Sequence, residues 1–456
     1  MFKKLRWIGV LVGLLLIASF AWGAPPGQFT VDFNIQNMGT NPANIVVNFI
    51  NPDGTSAGTK TFTEVAPGGS AYFNPAFHTL DGGVSLPSGW WGSAIVNSSE
   101  PVSVIATVAN DLPGSQYVSD AYVGIGEPST LVFAPIVMAK LGPWNTRMAI
   151  QNTGSSSANV EIQFISGGTT VATQTISNLQ PGASALVDQY DHPSLSGFNG
   201  SAVISATQPV AVAVDEYKVT GGLLVSYAAL PLSKASTTLY MPGYINAYGP
   251  WTTDFTMINT GSSSASVQIQ FTNGQVLNCS IPPNGSIYLN PAMNNYGGCT
   301  GGPLATNFYG AATVNSSQPL VIAYNIANTL GPANLAIGYT AIPPSDVGTK
   351  IAVPLVENQY SGGLWTTTFS VQVVGGGTAN LTLKYVGNQG TFQYDNVIVN
   401  NSKTFNQLSD GHIPSGFLGS VTIISDKPIA VIADQNSLSP GNVGDVAAGF
   451  PGIKAP

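Results

Sequence analysis

The sequence predicts an all-β protein of four tandem immunoglobulin-like β-sandwich domains joined into a semi-rigid rod. Three observations carry this. Residues 249–271, GPWTTDFTMINTGSSSASVQIQF, recur with variations in four places. A second element recurs near the end of each copy, at an interval of about 109 residues, long enough for an independent core. Short apolar alternations separated by turn residues fill the rest, and no helical periodicity stands out.

The first element is two strands and a turn. It enters on an aromatic residue: Phe29, Trp144, Trp251 and Trp365. These four are expected to anchor the core of each copy. The turn is Asn37-Met38-Gly39, Asn152-Thr153-Gly154 and Asn259-Thr260-Gly261, where Gly permits positive φ and Asn bonds the local backbone. The fourth copy departs from it at Val374-Gly375. A strand of period two follows: Ile45, Val47, Phe49; Val160, Ile162, Phe164; Val267, Ile269, Phe271; Leu381, Leu383, Tyr385.

A hairpin comes next, turning at Pro67-Gly68, Pro181-Gly182 and Pro283-Asn284-Gly285, with Asn400-Asn401-Ser402 in the fourth copy. The second element then begins at Gly92, Gly200, Gly310 and Gly419, and a turn is expected at Pro101, Pro209, Pro319 and Pro428. A nearly continuous apolar run after each proline reads as a central strand. Seven or eight strands per copy suit an Ig-like sandwich, and the period is too long for a propeller blade. The predicted boundaries are residues 1–23 for a signal peptide, then 24–128, 129–236, 237–348 and 349–456. Short links between copies imply the rod.

Residues 1–23 read as an export signal: Lys3, Lys4 and Arg6, an apolar run from Ile8 to Ala18, then small residues before Ala24. The apolar run is short for a membrane-spanning helix, so an uncleaved anchor is the lesser reading. No membrane insertion is expected after cleavage. The chain has 13 Lys+Arg against 21 Asp+Glu, and only 7% of residues are charged. That low charge leaves little to oppose self-association, and the lack of basic patches argues against nucleic acid as a partner. Cys279 and Cys299 are the only cysteines. In an exported chain they read as a disulfide, because two ligands do not make a metal site.

Copies two to four open with a strand, as in Leu131-Val132-Phe133, Leu239-Tyr240-Met241 and Ile351-Ala352-Val353, whereas copy one begins almost directly at Phe29. Copy one therefore has one strand fewer, or an open edge that another chain fills by strand addition. The C-terminus offers no evident spare strand.

The F-x-I-x-N-x-G pattern at Met148 to Gly154, the strand Val160-Glu161-Ile162-Gln163-Phe164 and the turn Leu179 to Ser184 resemble tandem Ig-like repeats of bacterial surface and secreted proteins, including the CARDB (cell-adhesion-related) type. The resemblance spans four copies, is weakest in the fourth, and implies a sandwich with surface or adhesive roles and no catalytic residues.

Signals for chemistry are thin. Gly54-Thr55-Ser56-Ala57-Gly58 matches G-x-S-x-G but lies between strands, not before a helix. His78, His192 and His412 fall in loops of three different copies, with Asp191 and Asp410 nearby, and read as loop histidines. Asp111, Asp215 with Glu216, and Asp434 recur at strand ends without calcium-loop spacing. No cofactor is expected. Trp90 and Trp91 stand where other copies have one aromatic, Phe198, Tyr309 or Phe417, so Trp90 is a candidate for stacking on a glycan. The expected function is a non-enzymatic, exported structural or adhesive protein of the cell surface or matrix, able to self-assemble. The alternative is a carbohydrate- or protein-binding accessory module.

Overall fold

A computed structural model describes residues 29–87, 89–110, 117–219, 222–328, 335–437 and 444–456. The expected signal peptide and Asp111 lie outside them.

The protein is all-β. The first quarter holds β1 (Phe29–Asn37), β2 (Ala43–Ile50), β3 (Ser56–Val65), β4 (Ser70–Phe73), β5 (Ser93–Ser98), β6 (Val102–Asn110) and β7 (Tyr117–Val123). The second holds β8 (Ser129–Ala139), β9 (Trp144–Asn152), β10 (Ala158–Ser166), β11 (Thr169–Leu179), β12 (Ser184–Asp188), β13 (Phe198–Lys218), β14 (Leu224–Ala228) and β15 (Leu230–Pro231). The third holds β16 (Ser236–Asn246), β17 (Trp251–Asn259), β18 (Ala265–Phe271), β19 (Val276–Ile281), β20 (Ser286–Leu289), β21 (Phe308–Asn328) and β22 (Leu335–Thr340). The last holds β23 (Gly348–Gln359), β24 (Trp365–Val373), β25 (Thr378–Gly387), β26 (Gly390–Asn400), β27 (Ser402–Asn406), β28 (Phe417–Ser437), β29 (Gly444–Pro451) and β30 (Ile453–Lys454).

Where the sequence alternates, one face of the strand is buried, most cleanly in β18. The Asn of the Asn-x-Gly turn works in both directions. Asn152 Oδ1 accepts the Gly154 N–H, while its Nδ2 donates to the carbonyls of Ser156 and Leu179. Asn37 and Asn259 do the same. The last quarter lacks this Asn, and Asn401 takes its place from the opposing hairpin, where its Oδ1 accepts the Gly377 N–H. Its two departures from the pattern are thus one substitution by position.

At three prolines the expected turn is instead a corner within a strand. β13, β21 and β28 run unbroken through Pro209, Pro319 and Pro428. The first half of β13 pairs with β10 and β8, and the second half with β9 and β14. A proline has no N–H for a ladder, so it sits where the strand leaves one sheet for the other. Its carbonyl still accepts the Thr153 N–H. In the first quarter the same path is split into β5 and β6.

The protein is not a rod. Near the end of the chain β29 pairs in parallel with β7 of the first quarter. Each quarter's apolar core also takes in a residue from the next. Ala213 joins the first core, Ala323 the second and Ile432 the third, while Ile105 of the first quarter joins the fourth. Each stands four residues after one of the recurring prolines. The set closes on itself, so the quarters form a ring. Short links allow this because each inner sheet keeps an apolar outer face of alanine and isoleucine that needs cover.

In solution, X-ray scattering on the chain from Ala24 should give a radius of gyration of roughly 22–25 Å, as compact packing of a chain this long requires. A value well above 30 Å would restore the rod.

Candidate site at the ring axis

β7, β14, β22 and β29 line the axis. β7, β14 and β22 each pair on one side with an outer strand, and β29 does so with β28, which turns the other edge inward. Four sheet edges thereby converge, each with an unladdered N–H. One carboxylate meets them. Asp120 Oδ1 accepts from Ala121 and Gly449, both at 2.7 Å, and Oδ2 accepts from Ser226 at 2.6 Å and Gly338 at 3.1 Å. Asp120 is fully buried, and burial holds its carboxyl well above the ordinary range against the opposing pull of the four N–H groups. Residues 121, 226, 338 and 449 are Ala, Ser, Gly and Gly, and each is followed by a ring: Tyr122, Tyr227, Tyr339 and Phe450. A Cβ at Gly449 would lie 2.0 Å from Ile337, which shows how tightly the axis is packed.

The strand ends open into a cavity of about 420 Å³. Val123, Ala228, Thr340 and Pro451, one from each axial strand, lie on its wall. The lining is mainly aliphatic, with Glu127, Lys234, Asp346 and Lys454 among it. Lys234 Nζ ties Glu127 (2.9 Å) to Asp346 (2.8 Å), and Lys454 Nζ donates to the Ser345 carbonyl. Hydrogen bonding from Lys234 holds Glu127 below its usual range.

The seams around the axis hold polar groups at one shared position, three residues after each aromatic entry: Arg147, which is buried, and Asp32, Asp254 and Thr368, which are half-buried. Their cross-strand partners are Thr107, Asp215, Asn325 and Asp434. Arg147 is fully buried, and its Nε donates to Asp215 at 2.8 Å. Its guanidinium also lies over Phe29 (5.3 Å) and Tyr217 (5.9 Å). Among the described residues, the acids of the other seams have no salt-bridge partner. Burial raises Asp32, Asp254 and Asp434 to about 7 and, helped by Asp32, raises Glu357 to about 8. Burial, then the Asp254 charge, pushes Glu216 well above its range.

Most residues singled out in the sequence lie away from this axis. Phe29 is buried, while Trp144, Trp251 and Trp365 are only half-buried, with Trp144 and Trp251 packed at the margins of their cores. Trp90 is the buried member of its pair, 8% exposed, with Nε1 donating to Asn51 Oδ1 at 2.7 Å. The ring in its place in the third quarter is Phe308, which packs against Gly310, while the partly exposed Tyr309 reaches the last quarter, where its hydroxyl hydrogen-bonds Ser370 and Thr404. Cys279 and Cys299 form the disulfide. His78, His192 and His412 each pack on aromatic rings in separate quarters. Residues 54–58 cross a hairpin turn in which Asp53 accepts from Thr55. Asp215 and Glu216 are buried in the seams and Asp434 is half-buried there, and no cluster able to hold a metal occurs among the described residues. Asp120, Arg147, Asp254 and Glu357 escaped sequence reading. The small-then-aromatic pair that closes each quarter was the signal for Asp120.

The raised acids fix a pH dependence. Their folded values stand above those of an unfolded carboxyl, so the folded protein holds protons that the unfolded chain releases between about pH 4 and 8. Stability is full at the acid end and falls as pH climbs through that window. The melting temperature should drop by several degrees from pH 5 to pH 8.5, and Glu357→Gln should flatten the drop. A flat profile in the parent protein would contradict this account of the seams.

No protein-family model and no curated protein matches the chain. Among solved structures, Thermotoga maritima 1070 is similar at 16% identity, with a TM-score of 0.20, over 23% of this chain and 92% of that one. The arabinofuranosyltransferase AftD from Mycobacteria aligns at 10% identity, TM-score 0.13, over 89% of this chain and 38% of that one. The E. coli alpha-2-macroglobulin aligns at 9% identity, TM-score 0.12, over 92% and 28%. Likenesses this weak carry no functional argument.

Proposed function

We propose that the chain is a non-enzymatic, exported protein of the cell surface or extracellular matrix that acts by binding. In this reading its four quarters are copies of one Ig-like sandwich, near the predicted boundaries 24–128, 129–236, 237–348 and 349–456. The observation that carries it is the axial cavity. Its volume falls within the range of small-molecule sites, its wall is aliphatic, and a few polar groups stand among the lining. Two acids and two lysines balance there, so the ligand that fits is uncharged and largely apolar. Ring closure favours an accessory binding module over a rod-like scaffold, because the last long axial strand is spent on the first quarter. A structural, self-assembling role is the second reading, supported by the low charge of the chain, in which 7% of residues are charged.

Gly126 gives a clean test. It lines the cavity, and a Cβ there would meet nothing within 4 Å. N-phenyl-1-naphthylamine, an uncharged apolar dye, should bind the parent protein one to one. Gly126→Phe should abolish that binding with an unchanged melting temperature. No binding by the parent, or equal binding by the variant, would refute the cavity as the site.

A further inference from the structure

Four charged side chains stand at the axial cavity, one from each quarter. Glu127 follows β7, Lys234 follows β14, Asp346 follows β22 and Lys454 follows β29, each by a few residues. Their signs alternate around the ring. The side chains of Glu127 and Asp346 are 55% and 35% exposed, so the charges sit at the mouth and the aliphatic wall lies behind them. Lys234 belongs to the second quarter, whose ring neighbours are the first and the third. Its Nζ reaches both, at 2.9 Å from Glu127 Oε1 and 2.8 Å from Asp346 Oδ1.

This clamp is held from several sides. Lys234 ends a 3-10 turn, Leu232–Lys234, which the Ala235 N–H closes by bonding the Leu232 carbonyl. Ser233 Oγ donates to Glu127 Oε2 at 2.9 Å, and Ser345 Oγ donates to Asp346 Oδ1 at 3.0 Å. The Lys234 side chain is 18% exposed. Burial works against its charge, and the two carboxylates more than offset that, so its pKa stands above the ordinary range. Lys454 is exposed and differently placed. Its Nζ donates to the Ser345 carbonyl at 3.1 Å, and no ion pair joins it to Glu127 or Asp346 among the described residues. An anionic head group entering an apolar pocket needs a cation to replace its water. The more buried cation at this mouth is already engaged, and its two carboxylates repel an anion.

We infer that Lys234, clamped between Glu127 and Asp346, makes the cavity select neutral apolar ligands over anionic ones of the same shape. This rests on the reading of the cavity as the binding site. Lys454 offsets the second carboxylate, so the mouth as a whole is neutral and an anion finds no uncompensated charge there. The two carboxylates are the repulsive element that specificity of this kind requires. Converting both to amides would free the Lys234 ammonium for a ligand's anion and leave the aliphatic wall as it is.

Two dyes test it on the chain from Ala24. N-phenyl-1-naphthylamine and 1-anilinonaphthalene-8-sulfonate share one ring system and differ by a sulfonate, so the ratio of their affinities reads charge selectivity alone. The parent should favour the neutral dye by about tenfold or more, the scale of one charge-assisted hydrogen bond. Glu127→Gln with Asp346→Asn should lower that ratio about tenfold by the same measure. Adding Lys234→Met to the pair should restore it, which a merely structural role for the two acids would not do. Adding Gly126→Phe to the pair should abolish binding of both dyes, which locates them in the cavity. In the parent, concentrated NaCl should narrow the ratio by screening the mouth, a check that needs no variant to fold. An unchanged ratio in the amide variant, equal affinities in the parent, or sulfonate binding that survives Gly126→Phe would overturn the selectivity and leave the cavity standing. No binding of the neutral dye by the parent would overturn both.

Discussion

A strand edge must find partners for its N–H groups, and here four edges meet on one line, with β7 and β29 laddered to each other only over residues 117–119 and 444–446. Water cannot reach them there, and each unbonded N–H in such a place costs on the order of 1–3 kcal/mol. The Asp120 carboxylate is the smallest group with enough lone pairs to serve all four, two on each oxygen. There is room for one carboxylate only, which explains why the residues preceding the other three donors are Val225, Ile337 and Ala448. Four carboxylates converging at low dielectric would repel far more than the N–H groups could offset. The ring depends on the quarters being alike in backbone and unlike in this one side chain.

The seams follow the same logic. At one recurring position the pairs are Asp32 with Thr107, Arg147 with Asp215, Asp254 with Asn325 and Thr368 with Asp434. Buried polar pairs add little net stability over apolar ones, because desolvation consumes most of what they gain. They do distinguish one seam from another. A quarter docked in the wrong order would set Arg147 and Asp215 among groups that do not match them. Acids held near neutrality are the consequence of building four similar interfaces with, among the described residues, one fully buried cation, Arg147.

Local structure was legible in the sequence because local rules govern it. Period-two burial, the Asn-x-Gly turns and the disulfide each depend on a few neighbouring residues, and each is present. The arrangement of the quarters was not, because nothing local distinguishes a rod from a ring. The apolar runs after Pro101, Pro209, Pro319 and Pro428 were read as central strands, which is correct. What they pack against lies in the next quarter, as Ala213 in the first core shows. A ring needs only that the same outer face recur in every quarter, and the residues four places after each proline carried that message. Asp120 was hidden for a different reason. Its role is set by three N–H groups more than a hundred residues away, and a carboxyl near a strand end is otherwise unremarked.

The first quarter separates two tasks that one strand performs elsewhere. In the second quarter Val132 and Ala134 of β8 fill the core, and the same strand's backbone completes the ladder of β13. In the first quarter the core is filled another way. Trp90 replaces the phenylalanine found at Phe198 and Phe417, Leu80 packs against the hairpin at Gly58, and Tyr217 and Leu224 enter from the second quarter. Side chains from a loop and a neighbour can restore apolar burial, because burial has no direction. They cannot restore a ladder, because hydrogen bonds do. The first quarter therefore reaches a closed core by another route: β5 pairs with β2 alone among the described residues, yet Ala94, Val96 and Ser98 stay enclosed.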